Sequence, residues 1–360
     1  MSALERVRGR RDLRDFLSLT DRLHGAGSGY VPPLHAQVRT WLRQGVALYV
    51  LRRAGRVVAR TTLHTDAALD ARLGARLQLF GLTEFAEDAA GELFEAICAA
   101  GRAAGRQVAF GPVALLPNQA GGVITSGFAE RGFIDSAWNP ERYPAAYEAH
   151  GFTRRFESDT WICPVPRRGP VFAFDEARMA AEELRVHRGD RRRIREQLPI
   201  LRAMLNAAFA RLGYYTEISA EQLAAQTDGL AYLLDEDLLL YLTKAGRPIA
   251  FILCLPDISE FVMRVRGDLH PLNQLRLLAT RSRHRREAVL VVKGTVPDEQ
   301  GRGYMRLLSR ELLAGLRRGG YHTLRSTYVE RTNPGSAAQY VAMGGRPLHG
   351  YTFYAKDLTT

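Results

Sequence analysis

The chain has 360 residues, a length that suits two domains better than one. Its hydrophobic content of 46% and charged content of 24% are ordinary for a soluble globular protein. No apolar run is long enough to cross a bilayer, and the charged N-terminus predicts no secretory signal, so we expect a cytoplasmic protein without a membrane partner. Cys98, Cys163 and Cys254 are scattered, which indicates a reducing compartment, no disulfides and no zinc site.

The net charge of +12 favours anionic partners, such as a phosphate-bearing cofactor, an acidic carrier protein or nucleic acid. Much of this charge comes from arginine, which also fits a GC-rich bacterial genome, and both interpretations remain open. The arginine-rich run at 188–195 favours a solvated helix face over a nucleic-acid contact. We therefore expect no nucleic-acid partner.

The first half predicts an ordered series of short elements. Residues 1–45 indicate helix, loop and helix, and two apolar alternating runs flank a tight turn at Ala54 and Gly55, which predicts a β-hairpin. Proline and basic residues at 163–170 indicate a linker. Between the hairpin and the linker we predict a strand, a helix, a strand, a short helix and a last strand at 75–82, 89–105, 107–116, 142–152 and 153–163.

The second half repeats this order. After a charged stretch predicted as helix at 176–197, it predicts helices at 200–212 and 219–234, a hairpin at 238–257, and then strand, helix, strand, helix and strand at 288–295, 304–320, 322–330, 333–345 and 347–358. Tyr340 lies 193 positions after Tyr147, and Gly344 lies 193 after Gly151. A constant offset indicates an internal duplication, with domains at 1–165 and 166–360.

The stretch VPDEQGRG at 296–303 joins the apolar strand to an amphipathic helix that Gly319 and Gly320 end. A glycine turn before a helix offers free backbone N–H groups at the positive end of the helix dipole, which is a cradle for phosphate. The turn lacks the Gly-Lys-Ser/Thr ending of a nucleoside-triphosphate loop and the G-x-G-x-x-G of a dinucleotide fold. Simple chain reversal is the alternative interpretation.

Residues 300–305, QGRGYM, resemble the acyl-CoA pyrophosphate loop of the GNAT N-acetyltransferase superfamily, Q/R-x-x-G-x-G/A. Met305 departs from the pattern, where it would crowd the cofactor or point into the core. Asn333, Tyr340 and Gly344 match the pattern after the fifth strand of GNAT domains. The whole chain resembles bacterial tandem-GNAT proteins of mostly unassigned reaction, which implies an α/β fold of two GNAT-like domains, each a mixed, mostly antiparallel sheet flanked by helices.

The resemblance implies one acyl-CoA site, in the C-terminal domain, for acetyl-CoA or another acyl-CoA as co-substrate and with no metal. Glu84, Glu87 and Asp88 occupy the corresponding place in the first half and would repel a pyrophosphate, so we expect a degenerate N-terminal domain. The cofactor-binding residues that the resemblance implies are Thr295, Val296, Gln300, Gly301, Arg302, Gly303, Tyr304, Met305 and Asn333.

The implied enzyme is an N-acyltransferase that moves an acetyl group to a small-molecule amine in a ternary complex. Tyr340 lies where GNAT enzymes protonate the leaving thiolate, and Glu330 is our first candidate for the general base, ahead of Lys293 and Asp257. Tyr340 as a core residue and Glu330 as a helix cap are the structural alternatives.

Two other functions stay open at this level. A tandem-GNAT transferase that uses aminoacyl-tRNA would suit the charge but needs no pyrophosphate cradle. A non-catalytic acyl-CoA-binding module would suit the departure at Met305. An acyl carrier protein as the donor is a variant of the leading hypothesis, because an acidic carrier also favours a basic surface.

Overall fold

A computed structural model describes residues 4–25, 27–116, 120–168, 172–227 and 234–359. The chain divides into two compact units. Unit 1 comprises Met1–Ser158, Ser259–Asn273 and His349–Thr360, and unit 2 comprises Asp159–Ile258 and Gln274–Leu348. The predicted division lies at 165/166 and includes the closing strand in the second domain. The structure divides the chain at 158/159, within a strand, and most of the closing strand belongs to unit 1.

The described residues contain the main predicted helices and strands in the predicted order, together with short elements that were not predicted. The helices are α1 (Arg10–His24), α2 (His35–Arg43), α3 (Ala67–Leu73), α4 (Ala90–Ala103), α5 (Arg142–Ala149), α6 (Glu176–Ala181), α7 (Ile194–Phe209), α8 (Ala220–Thr227), α9 (Ser259–Arg264), α10 (Pro271–Ala279), α11 (Tyr304–Gly319) and α12 (Pro334–Ala342). The strands are β1 (Glu5–Arg6), β2 (Ala47–Arg53), β3 (Arg56–His64), β4 (Leu77–Phe85), β5 (Val108–Gly111), β6 (Val123–Ile124), β7 (Thr153–Pro164), β8 (Leu184–Arg188), β9 (Leu239–Lys244), β10 (Arg247–Pro256), β11 (Glu287–Thr295), β12 (Thr323–Glu330) and β13 (Arg346–Asp357). The short elements that were not predicted are β1, α3, β6, β8, α9 and α10.

In unit 1 the strands follow the order β1-β2-β3-β4-β5-β13. The predicted hairpin is β2 and β3, which turn at Ala54 and Gly55, both with positive φ, as a two-residue hairpin turn requires. β4 and β5 run parallel, whereas the other recorded pairs are antiparallel. Aromatic rings of α4, α5 and β4 fill the core, where Tyr147 and Tyr354 stack 4.6 Å apart.

Unit 2 builds the same kind of sheet from β12, β11, β10, β9 and β8. Its hairpin, β9 and β10, turns at Ala245 and Gly246, again with positive φ. β11 and β12 are parallel, and α11 packs against β9, β10 and β11 through its leucines. Gly320, at φ 77°, ends α11 as predicted. Both units are therefore mixed, mostly antiparallel sheets flanked by helices.

Two predicted elements are wrong in part. The stretch 176–197 is not one helix, because β8 interrupts it and pairs along the edge with β9 from Leu184 to Arg188. The strand predicted at 107–116 stops at Gly111, because a proline follows and the chain bends there. Parts of the predicted linker at 163–170 and of the predicted helix at 219–234 lie outside the described residues.

Candidate active site

The parallel strands β11 and β12 of unit 2 stop pairing halfway. Their register runs from Glu287 opposite Thr323 to Leu290 opposite Ser326, although the strands continue to Thr295 and Glu330. The register of β11 with β10 also shifts at this point, which is the mark of a β-bulge. The carboxyl ends of the two parallel strands therefore separate into a cleft, the usual place for a ligand in α/β sheets.

The backbone of β11 offers hydrogen-bond donors to this cleft. Val296 donates its N–H to the carbonyl of Ile249 on β10 at 2.9 Å, so that group is not free for a cofactor. Hydrogen-bonded and non-hydrogen-bonded pairs alternate along an antiparallel ladder. The N–H groups of Lys293 and Thr295 therefore point away from β10, towards the side of β12. Of the two predicted backbone donors, the N–H of Thr295 is directed towards the cleft, whereas the N–H of Val296 is used in the pairing with β10.

The glycine turn leads from the end of β11 into α11. A 3₁₀ turn over Pro297–Glu299 precedes it, and Gly301 and Gly303 adopt φ of 77° and 80°, which favours glycine. No side chain caps α11 at Gly303. Among the described residues, no acceptor is found for the backbone N–H groups from Gly301 to Met305. The turn thus presents the row of free donors that the sequence predicted.

Side chains hold this turn by its carbonyl groups. Gln300 donates from Nε2 to the Thr295 carbonyl at 3.0 Å, and Arg178 of α6 donates from Nη1 to the Arg302 carbonyl at 3.0 Å. Arg302 pairs with Glu299 at 3.3 Å. Because these contacts use carbonyl oxygens and side chains, they fix the loop while its N–H groups stay open. The contribution of Arg178 had no signal in the sequence, since α6 lies far from the turn along the chain.

The side chains of Tyr304 and Met305 point into unit 2. Tyr304 is 1% exposed, and its hydroxyl accepts from Lys244 Nζ at 3.0 Å and donates to Glu182. Met305 is 8% exposed and belongs to the hydrophobic core. Of the two orientations predicted for Met305, towards the cofactor or into the core, the structure has the second. Both residues can therefore meet a cofactor only through their backbone.

Tyr340 and Lys293 meet at the open part of β11. Tyr340 is 2% exposed, stacks on Trp161 with ring centroids 5.7 Å apart, and carries the Lys293 ammonium 4.0 Å above its ring. Lys293 Nζ also donates to Gln339 Oε1 at 2.8 Å. Burial lowers the pKa of Lys293 to about 7, and burial raises the pKa of Tyr340 well above its usual range. A lysine that loses its proton near neutral pH is a candidate general base.

The other predicted site residues divide between the two ends of β12. Glu330 ends β12 at the open end, where burial raises the pKa of its carboxyl group and Thr332 donates to it at 3.3 Å. Asn333 caps α12, since its side chain accepts from the Ser336 N–H at 3.1 Å. Asp257 lies at the opposite, paired end, near Arg325, so the fold does not bring it to the cleft.

Unit 1 has the strands without the glycine turn. A 3₁₀ turn over Glu87–Ala89 follows β4, and α4 begins at the next residue, Ala90. In unit 2 four residues, 300–303, lie between the corresponding turn and α11. Glu87 and Asp88 are exposed in this shorter connection, as the sequence suggested, whereas Glu84 is buried and faces a cavity.

This fold, a tandem of two mixed sheets with a parallel pair that opens before a helix, is the GNAT fold. It matches the tandem GNAT protein from the clavulanic acid biosynthesis pathway with a TM-score of 0.60 at 14% identity, over 100% of this chain and 99% of that one. A GCN5-related N-acetyltransferase from Sphaerobacter thermophilus matches with a TM-score of 0.51 at 12% identity, over 89% of this chain and 85% of that one.

Two relatives match along nearly the whole sequence. Protein YghO of Escherichia coli is 23% identical over 96% of this chain and 93% of its own length. A protein called bacterial ceramide synthase, of Caulobacter vibrioides, is 22% identical over 96% of this chain and 95% of its own length. No family model matches the chain. In the described parts no helix could cross a membrane, and no group of three potential ligands could hold a metal ion.

We predict that Arg306→Ala weakens CoA binding about three- to tenfold. Arg306 is exposed in the first turn of α11 and has no ion-pair partner among the described residues, so its charge is available to a phosphate. Titration calorimetry with CoA at two salt concentrations should show the loss and a weaker salt dependence.

Arg310 is the matched control, because it lies one turn further along α11 and already pairs with Glu176 at 2.7 Å. Arg310→Ala should change the affinity less than twofold. Equal losses in the two variants would mean that net charge, rather than the turn, attracts the cofactor.

Proposed function

We propose that unit 2 catalyses the transfer of an acyl group from acyl-CoA to a primary amine. The observation that carries this proposal is that the end of β11, where it has separated from β12, leads directly into the row of free N–H groups from Gly301 to Met305. A pyrophosphate on that row would direct the acyl thioester into the cleft between the strands. The GNAT fold supports the reaction class.

The chemistry needs an oxyanion donor, a base and an acid. The N–H of Lys293 or Thr295 polarises the thioester carbonyl, and the amine nitrogen attacks the carbonyl carbon. Glu330 takes the proton that the nitrogen loses, the C–S bond breaks, and Tyr340 protonates the thiolate. Lys293 is the second candidate base, because the pKa of its ammonium group is about 7.

Titration calorimetry with acetyl-CoA and palmitoyl-CoA, followed by turnover assays with amines, tests the proposal. We expect binding to unit 2 and amide formation that depends on both substrates. Absence of binding to any CoA thioester would overturn the proposal. If no CoA thioester binds, an assay with aminoacyl-tRNA addresses the alternative transferase. If a CoA thioester binds but no turnover is seen, an acyl-CoA-binding module or a carrier-protein donor is indicated.

A long acyl chain is the second candidate for the transferred group, beside acetyl. A ceramide is a fatty amide of a long-chain amine, and the similarity to the protein called bacterial ceramide synthase spans almost the whole chain. A ratio of kcat/KM for palmitoyl-CoA over acetyl-CoA well above one, with a long-chain amine as acceptor, would select this candidate. The reverse ratio would select acetyl transfer.

We predict that Tyr340→Phe lowers kcat more than tenfold and changes the affinity for CoA less than twofold. The phenyl ring keeps the stack on Trp161 and the contact with Lys293, so the fold and the cleft remain, while the acid is lost. Steady-state kinetics beside calorimetry separate the two effects. An unchanged kcat would leave Tyr340 as a core residue only.

A further inference from the structure

Unit 1 contains a cavity at the carboxyl ends of its own parallel strands. The cavity has a volume of about 110 Å³ and is lined by the end of β4, Pro112 just after β5, the segment 30–33 and helix α5. One water-sized group needs roughly 10–15 Å³ of such space, so there is room for several heavy atoms. The position corresponds to the cleft of unit 2, but no phosphate-binding turn adjoins it.

The lining of this cavity is acidic and aromatic. Its charged members are Glu84 and Asp135, and no lysine, arginine or histidine lines it among the described residues. Its aromatic members are Tyr30, Trp41, Trp138, Tyr143 and Tyr147. Carboxylates and aromatic faces both attract a cation, and neither favours an anion. In a chain with a net charge of +12 this is a local reversal of sign.

Glu84 is held in place by one of its two oxygens. Oε2 accepts from His24 Nε2 at 2.9 Å and from the Tyr143 hydroxyl at 2.9 Å, while Oε1 has no partner in the described part of the chain. Burial opposes the charge of Glu84, but His24 and the nearby Arg60 outweigh it, so the pKa of the carboxyl group is lowered. His24 and Arg60 do not line the cavity. The carboxylate is therefore ionised and has one oxygen to offer.

The Tyr147 hydroxyl is a second unsatisfied group in the lining. Tyr147 is fully buried, and in the described part of the chain its hydroxyl has no hydrogen-bond partner of normal geometry. The neighbouring Thr83 hydroxyl lies 3.0 Å from that of Thr61. Stacking on Tyr354 explains the ring, since a phenylalanine would stack equally well, but it does not explain the hydroxyl. A buried hydroxyl without a partner is costly, which points to a ligand that satisfies it.

We propose that unit 1 binds the head group of a primary amine in this cavity. An ammonium group has three N–H donors, which match Glu84 Oε1 and the Tyr147 hydroxyl oxygen, and the aromatic rings receive its charge. A quaternary ammonium would leave both oxygens without a donor. Asp135 is exposed, and Trp138 is partly exposed, so they form the entrance, while Glu84 and Tyr147 form the floor. The site does not depend on the function proposed for unit 2.

Hexylammonium chloride, titrated into the full-length protein without CoA, tests this site. Trp41 and Trp138 line the cavity and are two of the three tryptophans, so the intrinsic fluorescence should report binding. We expect saturable binding of hexylammonium and no binding of hexanoate or hexanol at the same concentrations. Equal binding of the three compounds would show only an apolar pocket and would overturn the proposal.

Variants locate the bound amine. Glu84→Gln keeps the size of the side chain and should weaken the binding at least tenfold, and Tyr147→Phe should weaken it about threefold. Glu196→Gln, which changes an exposed carboxylate of unit 2 that the proposed chemistry does not use, should have no effect. A loss with Glu330→Gln but not with Glu84→Gln would place the amine in unit 2 and refute the site. Should Glu84→Gln fail to fold, Tyr147→Phe decides alone, since removing an unpaired hydroxyl preserves the packing.

Discussion

Replacing Gly303 with glutamate should abolish acyl-CoA binding and leave the protein folded. Gly303 is the last residue before α11 and lies within the row of free N–H groups, and a Cβ built on it meets no atom within 4 Å, so the new side chain enters open space. A carboxylate there competes with the pyrophosphate for these donors and repels it. We expect at least a hundredfold loss of CoA affinity by calorimetry.

The backbone of Gly303 contributes a second, smaller effect that needs a control. Its φ of 80° disfavours any side chain, at a cost of about 1–2 kcal/mol. Gly246 has φ 79° in the hairpin of the same unit, and its Cβ would also meet no atom. Gly246→Glu therefore adds the same charge and similar strain in the hairpin and not in the row of free N–H groups, and should bind CoA as the parent protein does. A similar loss in both variants would mean that the turn is not the phosphate site.

The elements with strong local signals could be predicted from the sequence. The hairpin turns at Ala54 and Gly55 and at Ala245 and Gly246 need residues that tolerate positive φ, and such residues stand out between alternating apolar runs. The glycine turn before α11 is equally local, because the dihedral angles of Gly301 and Gly303 follow from the absence of a Cβ. The order of the main elements in both halves follows from these signals and the periodicity.

Features that depend on distant residues could not be read in this way. β8 was predicted as helix, because Arg185, His187 and Arg188 give no strand pattern, and only pairing with β9 makes the segment extended. The assignment of β13 to unit 1 depends on its pairing with β5 from Tyr354 onwards, which no property of the strand itself indicates. Glu84 was interpreted as a charge in the turn, because its burial against Tyr143 requires the fold.

Lys293 shows the same limit for the chemistry of the site. A lysine within an apolar strand is usually a residue of the solvated face, and the sequence ranked it below Glu330 as a base. The structure places its ammonium over the ring of Tyr340 and beside Gln339, both of which α12 supplies. The lowered pKa of Lys293 is thus an effect of the tertiary structure. The cleft thereby contains a residue that can change charge near neutral pH.

Replacing Lys293 with methionine should raise the thermal stability at pH 6 and leave it unchanged above pH 10. The pKa of Lys293 is about 7 in the folded protein and about 10.4 in an unfolded chain, so the unfolded state binds more protons between these values. The free energy of unfolding of the parent protein therefore rises with pH across this window. The penalty for the buried charge is complete below pH 7 and absent above pH 10.4, and methionine removes it.

The size of this effect follows from about 1.4 kcal/mol per pKa unit, reduced by the partial exposure of Lys293 and by the lost hydrogen bond to Gln339. We expect the free energy of unfolding of Lys293→Met at pH 6 to exceed that of the parent protein by about 2 kcal/mol, which corresponds to a rise in Tm of about 4–8 °C. Lys244→Met is the control. Lys244 pairs with Glu299 at 3.3 Å, and its pKa is raised chiefly by the Tyr304 hydroxyl, so that variant should gain nothing at pH 6. Melting curves for the parent protein and both variants from pH 6 to pH 10 test this prediction. A gain for Lys293→Met that does not vary with pH would show that the ammonium group of Lys293 has an ordinary pKa in the parent protein.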